Sequence, residues 1–183
     1  MISELTIRGD TIAIQRAIKE EGKIARRAAV AAINKSLAIA QTAGVRQLAR
    51  AKALPARVLK ARTKIYKASL DRLAGQLIVL TAGLPIDRLN YRFSRKGVAA
   101  AGRKFPHAFR VAKASGEGAA KPLIFERRVT GGQRAPRLPI VPVKIDLNPE
   151  AERIFSAETA RAGVHDLPRL FARELAYRLS KRR

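Results

Sequence analysis

The sequence predicts an α+β fold, with long alanine-rich helices at the N-terminus, a central antiparallel sheet and a C-terminal helix. Residues 1–63 and 147–183 carry apolar side chains at helical spacing, whereas residues 64–146 contain short apolar runs separated by Gly and Pro. Helices, strands and then a helix follow one another without strand–helix alternation, so antiparallel pairing is expected. We expect one domain over 1–183, made of these three regions.

The N-terminal region is expected to be mainly helical and basic. ISELTIRG, over residues 2–9, predicts a short strand. Asp10 is a candidate N-cap for a helix through Glu21, and a second helical run follows over 23–50. Pro55 suits the start of a short helix, because its missing N–H costs nothing there.

The central region has the period and punctuation of strands. Pro139 and Pro142 argue against a central strand and for an edge strand or an extended arm. The stretch 94–102 and the Gly-rich stretches 115–122 and 130–137 are predicted to be loops. The second of the predicted strands is expected to be buried on both faces; the five runs are 64–68, 76–81, 105–112, 122–129 and 138–145.

The C-terminal region is predicted to be helical. Asn148-Pro149 starts it, and helical spacing continues to Lys181. Gly163 and Pro168 bracket an expected break in this helix.

Charge is the strongest compositional signal. The chain has 38 Lys and Arg against 14 Asp and Glu, a formal net charge of +24. The net charge is +9 over residues 1–63, +12 over 64–146 and +3 over 147–183, so the excess lies in segments that also carry periodic apolar residues. This predicts a folded basic surface that faces nucleic acid or acidic protein neighbours.

Several classes of protein are excluded by what the sequence lacks. It contains no Cys, which excludes a disulfide framework, a thiolate nucleophile and a zinc knuckle. It has no signal-peptide pattern and no apolar run long enough to span a bilayer. We expect no membrane partner and a reducing, soluble compartment.

Catalytic chemistry is not indicated. His107 lies in the strand-like FPHAF and His165 in the loop-like GVHDLP, where an exposed, packing or capping role is more common than general-base catalysis. Thr130-Gly131-Gly132 lacks the spacing of a phosphate-binding loop. We therefore expect no enzyme, no cofactor and no bound metal.

Pairs of basic residues are the candidate contacts to nucleic acid or to an acidic partner. They are distributed over helical and strand-like segments, a pattern that indicates phosphate-backbone contact rather than base recognition. The candidates are Arg26, Arg27, Arg46, Arg50, Arg57, Lys60, Arg103, Lys104, Arg127 and Arg128.

An ordered set of motifs resembles the minor tail protein Z family of long-tailed bacteriophages. AAINKSLAIAQTAGVRQLAR followed by VLKARTKIYKAS is similar to the helix, Arg-rich segment and first strand of that family. FPHAFRV, IFERRV and LPIVPVKIDLNP follow in the family's order. His107 is a departure, because Gly is common at that position in the family, and the region 95–103 is shorter and less Arg-dense.

The resemblance implies a structural protein that completes the head-proximal end of the tail and helps to join tail to head. It further implies a ring of identical subunits, with a hexamer expected, coaxial with the DNA path. Its neighbours would be tail and head–tail connector proteins and the double-stranded DNA of the channel. Its location would be the virion tail, after assembly in the host bacterial cytoplasm.

Residues 31–49 are then expected to be mainly a packing helix that can approach a ring neighbour closely, and residues 46–64 its cationic exit. Composition alone equally allows a second interpretation, a free basic protein that binds nucleic acid without sequence preference. A basic nuclease using His107 is a third and weaker interpretation, because Asp71, Asp87, Glu117 and Glu126 are too scattered to form a metal site.

Overall fold

The computed structural model describes residues 2–9, 11–111, 123–127 and 140–181. The chain forms two compact units, one of residues 1–81 and 148–183 and the other of residues 82–147. We call the first the helical unit and the second the strand unit. The predicted α+β class is confirmed, with antiparallel strand pairing throughout the described sheets.

Five α-helices and three strands make up the described part of the helical unit. The strands are β1 (Ile2–Arg8), β2 (Thr63–Tyr66) and β3 (Ala74–Leu80), which form an antiparallel sheet in the order β1-β3-β2. The helices are α1 (Ile12–Glu21), α2 (Lys23–Lys52), α3 (Ala56–Lys60), α4 (Glu150–Arg161) and α5 (Leu167–Ser180).

Helix α2 is the central element of this unit. Its thirty residues span about 45 Å at 1.5 Å per residue, and it contacts α4, α5 and the sheet. Its buried face consists largely of small residues at spacings of three and four: Ala25, Ala28, Ala29, Ala32, Ile33, Ser36, Leu37, Ala40, Gly44, Val45 and Leu48. Small side chains let the neighbouring elements approach closely. The alanine face is thus used inside the chain, which differs from the expectation that it packs on a ring neighbour.

Two glycines allow close approaches between α2 and its neighbours. A Cβ added to Gly44 would lie 2.6 Å from the Phe155 ring of α4, and one added to Gly75 of β3 would lie 2.5 Å from Leu37 Cδ1. Asn34 of α2 also holds the β2–β3 connection, since its side chain accepts from the Ala68 N–H at 2.8 Å and donates to the Ala68 carbonyl at 3.3 Å.

The predicted break in the C-terminal helix is a turn of π-helix instead. Residues Ala162–Asp166 connect α4 to α5 without leaving helical geometry. Pro168 has no N–H to donate to the carbonyl four residues before it, and widening of the preceding turn is a common way for a helix to absorb this. The prediction of a loop around His165 is therefore wrong.

The described part of the strand unit consists of small antiparallel sheets. Strands β5 (Tyr91–Ser94), β6 (Gly97–Ala100) and β7 (Arg103–Phe105) form one. Strands β8 (Phe109–Val111), β9 (Leu123–Arg127) and β10 (Ile140–Pro142) form a second, in the order β10-β9-β8. A third pairs β4 (Leu84–Pro85) with β11 (Lys144–Ile145), and a 3₁₀ turn over Ile86–Arg88 follows β4.

Several strand predictions are confirmed and others are corrected. Pro142 lies on an edge strand, as its missing N–H requires. The run predicted over 105–112 is two strands, because Pro106 and His107 form a turn. The stretch 94–102 contains β6 rather than a loop, and β3 buries alternate residues rather than both faces. Asp10 and the loops predicted at 115–122 and 130–137 lie outside the described residues.

The strands of the predicted central region belong to both units. Strands β2 and β3 lie in the helical unit, while β4 to β11 lie in the strand unit. In the described chain, none of the helices combines the length and the hydropathy needed to cross a membrane.

Candidate functional site

The histidines occupy exposed turns. His107 has φ 69° and follows Pro106 in a turn that the Ala108 N–H closes on the Phe105 carbonyl at 3.4 Å. His165 is exposed in the π-helical turn, and the Asp166 carboxylate beside it accepts from Arg169 at 3.3 Å. Over the described ranges, no three His, Asp or Glu side chains are grouped closely enough to hold a metal ion.

Two lysines of α2 form ion pairs with carboxylates of the C-terminal helices. Lys35 pairs with Glu174 of α5, and Lys52 pairs with Glu150 of α4 at 2.7 Å. The hydrogen bond from Lys35 and its positive charge hold the pKa of Glu174 below its ordinary value of 4.5. In the same way, the hydrogen bond from Lys52 lowers the pKa of Glu150. The carboxylates of the C-terminal helices thus neutralise these two lysines.

Three of the predicted contact residues meet around a cleft between α2 and α3. Arg46 of α2 and Arg57 and Lys60 of α3 line it, together with Gln41, Thr42, Val45 and Ala56. All three cations are exposed, and no described carboxylate lies within ion-pair distance of them. We call this the α2–α3 cleft; its volume is about 190 Å³. Arg50 lies one turn after Arg46 on α2 but does not line it.

The local sequence creates the cleft by ending α2 sharply. Ala53 adopts the left-handed conformation (φ 52°, ψ 45°), and the Leu54 N–H bonds to the Ala49 carbonyl at 3.0 Å, which closes the last turn. Pro55 then precedes α3, and buried Leu59 anchors that helix. Because the chain reverses within three residues, the basic side chains of α3 come beside those of α2.

Arg26 lies elsewhere, at a second basic depression. Its guanidinium donates to the Leu70 carbonyl at 3.5 Å, and it lines a shallow surface depression of about 490 Å³ with Arg8 and Lys19. Arg27 is exposed on the same turn of α2 and does not line this depression. Arg8 was not among the predicted contact residues; the strand register pairs it with Ala74, which also lines the depression.

Arg103 and Lys104 lie on a basic ribbon in the strand unit, which we define as β5–β7 (residues 91–105). It contains five cations and no carboxylate. The register aligns Arg92 with Ala99 and Ala99 with Lys104, so Arg92 and Lys104 share one exposed face with a small residue between them. Adjacent strands lie about 4.8 Å apart. Arg92 and Lys104 are two strands apart, so their Cα atoms are about 10 Å apart.

The opposite face of the basic ribbon is mainly aromatic, and Arg103, which pairs with Ala100, also lies on it. Tyr91, Phe93 and Phe105 share it with buried Val98, and the Tyr91 and Phe93 rings meet edge to face at 5.2 Å. Gly97 is required inside the ribbon, because a Cβ there would lie 2.2 Å from the Phe105 carbonyl oxygen.

Arg92, Arg95 and Lys96 were not among the predicted contact residues, because no strand was predicted at residues 91–93 and residues 94–102 were predicted to be a loop. The alternation in YRFSRKGVAA is the signal that identifies β5 and β6. Arg127 lies apart from the ribbon on β9, with its guanidinium 5.7 Å from the centre of the Phe109 ring. Arg128 lies outside the described residues.

Comparisons with protein-family models, with curated proteins and with solved structures yield no match. Function has to be inferred from these basic surfaces and from the motifs of the chain.

Proposed function

We propose that the protein is a structural component of a bacteriophage tail, which completes the head-proximal end and helps to join tail to head. It would act as a ring of identical subunits, with six as the expected number, around the path of the DNA. Its partners would be neighbouring tail and connector proteins, with DNA or acidic rings facing its basic surfaces. The motifs that resemble tail completion proteins support this proposal, and the described residues of these motifs lie largely on helices and strands.

The motifs lie on the following helices and strands, in chain order. The motif with Asn34 lies within α2, where Asn34 has a specific structural role in holding Ala68. FPHAFRV covers the end of β7, the turn and β8, and LPIVPVKIDLNP leads through β10 and β11 to α4.

The observation that carries the proposal is the basic ribbon. Five cations without a carboxylate lie on fifteen residues, and Arg92 and Lys104 project from one exposed face. Such a surface repels copies of itself unless an anionic partner lies alongside. Exposed cations without a fixed pairing to bases suit sequence-independent contact with the phosphate backbone. DNA passing through a ring presents such a backbone to every subunit.

The ring contact has to come from a surface other than the alanine face of α2, since that face is buried within the chain. A closed ring needs a heterologous interface, in which two different patches of the subunit meet. The number of subunits then follows from the angle between these patches.

The same ribbon favours a second candidate, a free protein that coats nucleic acid without sequence preference. The two candidates differ in assembly. The tail protein forms closed rings or adds to one end of a tail, whereas the free protein remains a monomer or dimer until nucleic acid is added.

Negative-stain electron microscopy tests this difference. We expect the nuclease-treated protein to form closed rings, or to add density at one end of isolated phage tails that lack it. Mass measurement of the same sample gives the subunit number. Small particles that leave tails unchanged, but grow when DNA is added, would reject the tail protein in favour of the second candidate.

A further inference from the structure

The lining of the α2–α3 cleft combines an apolar floor with a cationic rim. Val45 of α2, which is 5% exposed, and Ala56 of α3 are its apolar lining residues. The polar lining groups are engaged elsewhere: Thr42 Oγ1 donates to the Ala38 carbonyl at 2.8 Å, and Gln41 Nε2 donates to Thr63 Oγ1 at 2.8 Å. The charged groups without a described partner are therefore those of the rim, Arg46, Arg57 and Lys60.

The size of the cleft limits what can enter it. Its volume of about 190 Å³ is smaller than the roughly 300–1,000 Å³ typical of pockets for drug-sized ligands and cofactors. It matches the body of one large apolar side chain, with charged groups of the same ligand at the rim.

A DNA backbone would contact the cationic rim of the cleft but not its apolar floor. Phosphates would interact with the three cations, but they have no apolar group to fill the floor, which would stay hydrated. An acidic protein segment uses both parts, because an apolar side chain fills the floor while neighbouring carboxylates meet the rim. Binding energy at protein interfaces concentrates in such a filled pocket, and the charges add specificity and speed of association.

We propose that the α2–α3 cleft binds a short acidic segment of a partner protein, with one large apolar side chain in the cleft and flanking carboxylates on Arg46, Arg57 and Lys60. This inference deepens the proposed function by naming a partner class for one site. It divides the basic surfaces between protein at the cleft and DNA at the basic ribbon.

Fluorescence anisotropy with the full-length protein tests the inference. The probe is a fluorescein-labelled peptide, Asp-Glu-Asp-Leu-Glu-Asp, and the control peptide has Ser in place of Leu with the same charge. We expect the Leu peptide to bind at least about fivefold more tightly than the Ser peptide, since burial of the Leu side chain in the cleft removes apolar surface from water. Equal binding of the two peptides would overturn the inference, because only charge would then matter.

A cleft-filling variant separates protein from DNA. Thr42→Trp fills the floor and leaves all three cations in place, while Ala172→Trp adds the same side chain to an exposed position of α5. We expect Thr42→Trp to weaken peptide binding by at least about tenfold, as for a hot-spot pocket, without changing retention of a DNA duplex. Ala172→Trp should change neither, and far-ultraviolet circular dichroism checks that both variants fold.

The competing outcomes are distinct. If Thr42→Trp weakens duplex binding and leaves peptide binding unchanged, the cleft is a nucleic-acid site and the inference fails. If the peptide does not bind but the protein still joins tails in the microscope, the inference fails while the proposed function stands. If peptide binding follows the expected pattern but no ring or tail docking is seen, the proposed function fails and the cleft remains a protein-docking site.

Discussion

At the scale of single residues, close packing around α2 depends on glycine, which has no side chain. Gly44 lies in the middle of the helix, where Ala normally stabilises by about 1 kcal/mol relative to Gly. Here the added methyl would meet the buried Phe155 ring at 2.6 Å. In Gly44→Ala the clash with Phe155 and the gain in helix propensity have opposite effects on the free energy of unfolding. The larger of the two decides whether the variant is more or less stable.

We predict that Gly44→Ala lowers the free energy of unfolding by about 1–2 kcal/mol, because overpacking a rigid core costs about 1–3 kcal/mol and exceeds the gain in helix propensity. Gly163→Ala is the matched control, since nothing lies within 4 Å of a Cβ there; it should be neutral or stabilising. Urea unfolding of the two variants measures the difference. Equal stability of both would show that Phe155 can move aside.

A second residue effect concerns His107, whose φ of 69° is strained for a side chain with a Cβ. His107→Gly should raise the free energy of unfolding by about 1 kcal/mol, because Gly adopts this conformation without steric cost. His107→Ala removes the same exposed imidazole but keeps the Cβ, so it should gain nothing. Thermal unfolding of the three proteins measures this, and equal gains for Gly and Ala would contradict the strain argument.

At the scale of elements, carboxylates of α4 and α5 contact α2 at its middle and near its C-terminal end. The Glu174 carboxylate forms ion pairs with Lys35 and, at 3.5 Å, with Arg178, and its side chain is only 12% exposed. Glu158, buried on α4, accepts from Gln47 of α2 and from Arg161 at 2.9 Å. These contacts join distant parts of the sequence, and they orient the C-terminal helices on α2.

The Lys35–Glu174 contact predicts a pH dependence. The pKa of Glu174 is lower in the folded protein than its ordinary value of 4.5, so its stabilising effect is present above that value and is lost as the pH falls through the folded pKa. We expect Glu174→Gln to be less stable than wild type at pH 7, with the difference shrinking below about pH 4.5.

The measurement is denaturant unfolding of wild type and variant at several pH values between neutral and strongly acidic. Glu152→Gln, an exposed first-turn residue of α4, serves as a control that should show a smaller effect. A pH-independent difference for Glu174→Gln would mean that its charge is not what stabilises the helix contact.

At the scale of the whole molecule, positive charge is distributed over both units. In the helical unit part of it is neutralised by α4 and α5, while Arg46, Arg57 and Lys60 have no described carboxylate partner. In the strand unit the basic ribbon carries five cations with no carboxylate in its own sequence. The molecule therefore offers two basic surfaces that differ in shape, one concave with an apolar floor and one on exposed strands.

The salt dependence of DNA binding tests the basic ribbon as a DNA contact. We predict that the double variant Arg92→Gln, Lys104→Gln reduces the slope of log K against log salt by up to about 1.8, since each neutralised phosphate contributes about 0.9. A matched variant with Gln at Arg153 and Arg173, exposed residues of the C-terminal helices, should reduce it less. Duplex titrations at several salt concentrations give both slopes, and equal reductions would mean that DNA contact is not concentrated on the ribbon.

The sequence by itself determined the elements whose causes are local. Helix α2, the strands β1, β2 and β3 and the edge position of Pro142 follow from apolar period, Gly and Pro. The turn at His107 and the strands β5 and β6 were missed, because short strands with small residues have a weak period. The π-helical turn was also missed, since Gly163 and Pro168 predict a break when the neighbouring helices are not considered.

Only the tertiary structure decided which basic residues come together. Sequence proximity suggested five pairs, but the α2–α3 cleft joins Arg46 to Arg57 and Lys60 through a chain reversal, and strand register aligns Arg92 with Lys104. It also decided that the alanine face packs inside the chain and that Lys35 and Lys52 are neutralised. The physical reason is that charge and packing depend on distances between residues far apart in sequence, which periodicity does not encode.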